Sequence, residues 1–299
     1  MVKQKQPVQN NIVPTPPKTG EFRRTIRVMF SRKVVLVGAV IAIIFLFVSA
    51  FGPFIAPHDP YLQNLSNALQ QPSSKYLLGT DAFGRDTLSR LIYGARVSLM
   101  VGIVAVSIAG IIGIVLGLIA GYFGGWVDQV IMRVIDALMA LPPIALMLAI
   151  AAALGSGLFN VMISLGVSMV PTYCRLMYGQ VRSLRENDYI IAARTLGASQ
   201  MRIMVNHLLP NAFPPLLVLI TLNMGTAILM EATLSYIGVG ISPPTAAWGS
   251  MTYDGYPHLL HNPLLSVAPG LAIALVVLSF NLVGDGLRDA LDPRLRGTL

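Results

Sequence analysis

Six stretches of this chain, 34–58, 97–127, 137–174, 203–230, 232–253 and 255–284, contain no Asp, Glu, Lys or Arg. Crossing the roughly 30 Å hydrocarbon core of a bilayer as a helix takes about 20 predominantly apolar residues, so each stretch is long enough to be tested as a span. The third is long enough for two, and the "GSG" at Gly155 to Gly157 is the natural break between them. The fourth and fifth read as one span followed by a loop, because "LLPNAFPP" and "GISPPTAAWG" hold prolines that end helices. The pattern therefore predicts an all-α polytopic membrane protein with six helices, at 34–57, 97–122, 128–152, 158–177, 213–238 and 265–285.

Composition agrees: 55% of the 299 residues are hydrophobic and only 11% charged, against roughly 25% charged in soluble domains. Charge also orients the chain. With the N-terminus inside, 17 of the 21 lysines and arginines fall on inside segments, and the outside loops hold only Lys75, Arg85, Arg90 and Arg96. Both termini are expected in the cytoplasm. The net charge of +8 is then explained by topology and contact with anionic membrane lipid, and no nucleic-acid partner is expected. The first apolar run is too long for a secretory signal and reads as a retained anchor. Cys174, the single cysteine, excludes an internal disulfide and is expected to pack in a helix.

Four segments follow: a basic cytoplasmic tail and interfacial stretch at 1–33, a first span with its outer loop at 34–96, a transmembrane core at 97–285 with a cytoplasmic loop at 178–212, and a cytoplasmic tail at 286–299. Residues 1–19 have no periodic apolar pattern and read as disordered, and "EFRRTIRVMFSRK" reads as a basic amphipathic segment at the inner membrane surface. In the outer loop, Thr80 or Asp81 is expected to cap a solvated interfacial helix carrying an Asp86–Arg90 pair at i,i+4. Ala109, Gly113, Gly117, Gly121 and Gly125 place a small residue at every fourth position, a stripe against which another helix backbone can pack closely. Packing inside the subunit is the expected use. Pro142 and Pro143 should bend the third span, as in helices that line or gate a path, with Arg133 and Asp136 three apart beside them.

An ionisable residue within a span is a functional candidate, and Glu231 is the clear case. Counted from Phe213 it lies about 27 Å along the helix, near the outer face, which favours an interfacial or inter-helix hydrogen-bond partner over a midplane proton relay. Of the histidines, only His258 and His261 stand at a ligand-like spacing, and without a third ligand no metal site is expected. None of Lys3, Lys5, Lys18, Lys33 and Lys75 follows a glycine, so no nucleotide-binding P-loop is present. No motif for a hydrolase is found either, and the chain is expected to be no enzyme and to hold no cofactor.

The stretch "IIAARTLGASQMRIMVNHLLPN" is too polar to span and too patterned to be a tether. It resembles the cytoplasmic signature of permease subunits of ABC importers, E-A-A-x3-G-x9-I-x-L-P, aligning without gaps at Ala192, Ala193, Gly197, Leu209 and Pro210. Ile191 stands where the glutamate is usual and His207 where isoleucine is. Together with "LLGTDAFGRDTLSRLIYGARVSL", "EATLSYIGVGISPPTAAWG" and "GDGLRDALDPRLR", the resemblance to C-type permeases of dipeptide, oligopeptide and nickel importers covers about residues 22 to 296.

That resemblance implies a type I importer permease fold in a bacterial inner membrane. It also implies a second homologous permease, two P-loop ATPase subunits carrying ATP and Mg, and an extracytoplasmic solute-binding protein. The stretch would be the element that docks on the ATPase through Ile190, Ile191, Ala192, Ala193, Arg194, Leu196, Gly197, Leu209 and Pro210. Its residues support an elbow, with one helix at 188–196, another at 199–208, and Gly197 at the bend, where glycine accepts the backbone angles required. Pro142, Pro143 and Glu231 are the candidates for the path or its gate. Two other classes remain open from residues alone: an ion-gradient-driven secondary transporter, which should show midplane titratable groups and repeated halves, and a non-transporting membrane scaffold.

Overall fold

The computed structural model of the protein describes Ile26 and residues 28–291, which form helices and, among those residues, no strand. The tail 1–19, residues 21–25 and 27 of the basic segment, and Arg294 and Arg296 lie outside the described residues. The helices are α1 (Lys33–Ile55), α2 (Thr87–Phe123), α3 (Gly125–Met139), α4 (Pro143–Leu154), α5 (Leu158–Leu184), α6 (Asp188–Thr195), α7 (Gln200–Ile203), α8 (Leu209–Tyr236), α9 (Trp248–Gly255) and α10 (Leu264–Leu291). Four of them, counting the run Gln200–Tyr236 as one, are long and apolar enough to cross a membrane, and α3 with α4 makes a fifth if the pair is one span. The remaining expected span, α5, has 27 residues, about 40 Å of helix, and is more polar than the others.

Local chemistry explains the boundaries. α1 stops where Pro57 forces Ala56 into extended backbone, ψ 126°. α2 begins ten residues earlier than expected because Asp86 caps it, accepting the Ser89 backbone N–H at 2.9 Å. It ends at Gly124, whose φ of +66° only glycine adopts at little cost. The expected span 128–152 is instead two helices meeting at 93°. Pro142 takes extended backbone, ψ 134°, and Pro143 starts α4, so the prolines break the span rather than bend it. Neither half, of 15 and 12 residues, reaches across about 30 Å by itself.

At "LLPNAFPP" the expectation of a helix end fails. α7 passes through a π-turn, Met204–Leu208, directly into α8, and Pro210, Pro214 and Pro215 lie inside the continuous rod. The wider turn, closed by Leu209 N–H to the Met204 carbonyl, loosens the backbone ladder just where the proline rings enter and where one fewer donor is needed.

The bundle core is built on the glycine stripe. Gly113, Gly117 and Gly121 of α2 lie directly against Tyr173, Cys174, Met177 and Val181 of α5, and a Cβ on Gly113 would come within 2.5 Å of the Tyr173 Cβ. The stripe thus packs within the subunit, as expected, with Ala109 fully buried. Gly125 is not part of it; it opens α3 with φ +55° and no neighbour. At the other edge α10 packs on α1 and α8, with Gly286 against Val35 and Gly38 against Leu282, and Arg32 pairs with Asp289 at 2.6 Å. The beginning of α1 and the end of α10 therefore share one face of the molecule, here the terminal face.

The opposite, loop face carries a folded lobe made of residues 56–86 and 237–263. The solvated helix expected here is absent. Arg85 and Arg90 are almost fully buried, Arg85 pairs with Asp81 at 2.7 Å, and Arg90 reaches Asp81 at 3.5 Å and the Pro60 and Pro244 carbonyls at 3.2 and 3.3 Å. Asp86 therefore caps α2 instead of pairing with Arg90. Burial raises the Asp254 carboxyl pKa above its ordinary value, opposed by Arg90 and Arg85. The helix α9, read from sequence as loop, wedges between α2, α8 and α10: Trp248 is buried, donates its indole N–H to the Leu91 carbonyl at 2.9 Å, and meets Phe45 edge-on at 5.5 Å.

Candidate functional site

The stretch singled out by pattern folds as an elbow on the terminal face. α6 ends in a glycine turn: the Gly197 N–H bonds the Arg194 carbonyl at 2.9 Å and the Ala198 N–H bonds the Ala193 carbonyl at 3.0 Å, with Gly197 at φ +77°. This double bond pattern closes a helix end and redirects the chain, and it needs a left-handed residue at its centre. Ser199 then caps α7, accepting from the Arg202 N–H at 3.4 Å. The second arm expected at 199–208 is the start of the long rod that becomes α8, so a displacement of the elbow bears directly on a membrane-spanning helix.

The elbow has two faces. Ile190, Ile203, Met204 and Leu208 are buried in the main core, and Ala193 and Leu209 pack against it in part. Ile190, expected on the docking surface, is instead the anchor that holds α6 down. The other face exposes Tyr189, Ile191, Ala192, Arg194, Leu196, Gly197, Met201, Val205 and Pro210, with Leu196 87% exposed. An apolar group of this size facing outward is the mark of an interaction surface.

Two arginines tie the elbow region to the end of α2. Arg185 donates to the Gly121 carbonyl at 3.1 Å, and the Arg194 guanidinium lies over the Tyr122 ring at 5.3 Å. Between them an open groove of about 350 Å³ is lined by Tyr122, Phe123, Arg194, Ala198, Gln200 and Ile203. Arg185 and Tyr122 were not singled out from sequence, since nothing in their spacing marks them as neighbours. On the same face Asp136 of α3 pairs with Arg175 of α5, not with Arg133, and Tyr178 donates to Asp128 at 3.0 Å.

Glu231 is fully buried. It accepts from Ser235 at 2.7 Å and Ser98 at 3.4 Å, and the Ser235 hydroxyl in turn accepts the Ile241 N–H at 3.1 Å. The carboxylate thus ties α2, α8 and the loop after α8 into one network near the loop face. Pro142 and Pro143 lie apart from it, at the α3–α4 break. Among the described residues no His, Cys, Asp or Glu cluster could hold a metal.

Comparison with known proteins decides the family. The model for "Binding-protein-dependent transport system inner membrane component" matches residues 113–297, and that for "N-terminal TM domain of oligopeptide transport permease C" matches residues 21–72. The chain belongs to the binding-protein-dependent transport permeases. This permease is 42% identical over 259 residues to a Probable D,D-dipeptide transport system permease protein of Escherichia coli (strain K12), covering 87% of each chain. It is 43% identical to a dipeptide transport system permease protein of Alkalihalophilus pseudofirmus, over 92% of this chain and 90% of that one. To a glutathione transport system permease protein of Escherichia coli O6:K15:H31 it is 42% identical, over 93% and 91%. In fold the permease is similar to a chain of the inward-facing MetNI methionine ABC transporter, with a TM-score of 0.54 at 21% identity, covering 68% of this chain and 97% of that one. The all-α importer-permease fold expected from the motifs is the observed one, and the permease is a multi-pass membrane subunit of an ABC transport system. Neither the gradient-driven transporter nor the scaffold finds support in these likenesses.

Proposed function

We propose that this permease forms half of the path by which an ATP-driven importer takes up di- or oligopeptides or a related small solute, and that the elbow receives the motion of a partner ATPase. The observation that carries the reading is the elbow itself: an outward apolar face around Leu196 and Ile191, anchored by buried Ile190 and continuous through the π-turn with α8. An ATPase pair closing around ATP and Mg, neither held by this chain, would push that face. The rod and the Arg194–Tyr122 contact would pass the displacement to α8 and α2, tilting the spans that bound the path.

In this reading the terminal face is cytoplasmic, in line with the lysine and arginine bias, and the loop-face lobe meets a solute-binding protein outside. A second homologous permease and two P-loop ATPases complete the complex. Glu231 and the Pro142–Pro143 break are the gate candidates, one near each side of the path. The peptide assignment follows the named transport of the relatives.

The test is reconstitution with the neighbouring transport subunits in vesicles. ATP-dependent uptake of a labelled dipeptide that requires the binding protein, together with a Leu196→Cys cross-link to an ATPase subunit, is the expected result. Uptake that persists without ATP on an ion gradient, or a Leu196→Cys site that reaches no ATPase, would overturn the proposal.

A further inference from the structure

A groove of about 340 Å³ runs between α1 and α2, lined by Leu46, Ser49 and Ala50 on one side and Arg96, Leu99, Met100 and Ile103 on the other. It opens on the outside of the bundle, where Leu46, Met100 and Ile103 are all exposed alongside Phe47 and Phe51. In this apolar wall Arg96 is the single charged lining residue. It is exposed, and among the described residues it has neither an ion pair nor a side-chain hydrogen bond.

Depth along the helix makes this unusual. Ser49 is 16 residues beyond Lys33, about 24 Å along α1. With Lys33 at one boundary of a core about 30 Å thick, Arg96 stands a few ångströms inside the other boundary. An arginine there is costly unless it reaches a partner, and its side chain is long enough to reach the headgroup layer. The five donors of a guanidinium match the oxygens of a phosphate diester in a fork geometry. The walls below would take an acyl chain.

We propose that this groove is a phospholipid site, in which Arg96 binds the headgroup phosphate and the Leu46–Ile103 cleft holds one acyl chain. The site requires nothing of the transported solute and stands whether or not the importer reading holds. It couples α1, the least buried of the four long apolar helices, to α2 through a lipid rather than through side chains alone.

The test uses the full transport complex in vesicles containing a photoactivatable phosphatidylglycerol with its reactive group high on one acyl chain. Peptide mapping after illumination should find adducts on 44–55 and 96–103. Arg96→Gln should lower the labelling of those two segments about tenfold, the loss of one charge-assisted contact, with labelling elsewhere unchanged. Arg96→Lys, which keeps the charge, should retain most of it and guards against a folding defect. Equal labelling in wild type and Arg96→Gln would overturn the site. So would absence of adducts on these segments in the wild type, the outcome expected if a protein subunit covers the groove.

Discussion

The guanidinium of Arg194, on the first arm of the elbow, lies 5.3 Å above the ring of Tyr122, at the end of α2. The two residues are 72 positions apart, yet they place the outward-facing elbow in contact with a helix that does not flank it in sequence. Removing the cation should leave the fold intact, since Arg194 is exposed, whereas Tyr122 belongs to the buried core, and a cation–π contact with an exposed cation contributes about 0.5–1 kcal/mol. Arg194→Ala is expected to leave membrane insertion and assembly unchanged while lowering uptake per ATP hydrolysed. Measuring both rates on one vesicle preparation checks this, and an unchanged ratio would remove α2 from the coupling route.

Gly197 offers a sharper probe because space and backbone are separated there. Nothing lies within 4 Å of where its Cβ would be, but φ is +77°. Gly197→Val should therefore act through backbone strain alone, about 1–2 kcal/mol for a non-glycine residue and more for a β-branched one. Uptake should fall with insertion normal, and Gly197→Asn should recover part of it, because asparagine tolerates the left-handed region. Full uptake by the valine variant would show that the turn is not required.

The α2–α5 contact should be the least forgiving part of the bundle. Gly113→Leu forces a side chain into Tyr173 and the Val170 carbonyl, where even a Cβ meets atoms at 2.5 and 2.8 Å. A cost at or above the usual 1–3 kcal/mol of overpacking is expected. It should appear as a lower melting temperature of the purified complex, whereas Gly179→Ala, inside the helix with open space around it, should melt no lower than the wild type.

Glu231 distinguishes a structural hydrogen-bond centre from a proton carrier. Glu231→Gln can still accept from Ser98 and Ser235 and should transport nearly as the wild type. Glu231→Leu leaves two buried hydroxyls without their acceptor, at about 1–3 kcal/mol each, and should loosen the Ile241 loop. Comparable loss of uptake in both variants, with the loop undisturbed in hydrogen exchange, would favour proton transfer.

In the loop-face lobe, Asp81→Asn leaves the buried Arg85 and Arg90 without their shared carboxylate. Breaking such a pair from one side typically costs about 3–5 kcal/mol. Limited proteolysis should cut 56–86 faster in the variant while the spans remain protected, and unchanged cutting would mean that the lobe is held by its apolar contacts alone.

What the sequence alone determined was everything that local chemistry decides. Charge-free length marked where the spans lie, Gly155 and Gly157 separated α4 from α5, and Gly197 marked the elbow, because a lipid core and a left-handed turn each demand particular residues wherever they occur. Tertiary structure decided the rest. Prolines break the chain at Pro142–Pro143 and pass unbroken through Pro210–Pro215, and only the π-turn and the rod packed against the core distinguish the two cases. Ile190 and Ile191 are neighbours of one type, yet one anchors the elbow and the other faces outward, since a helix turns about 100° per residue and its packing partner fixes which side is inside. Asp86 and Arg90 had the spacing of an ion pair, but burial of Arg90 beside Asp81 and the free N-terminus of α2 gave each a better partner. Such choices depend on contacts between residues distant in sequence, and those exist only once the helices have packed.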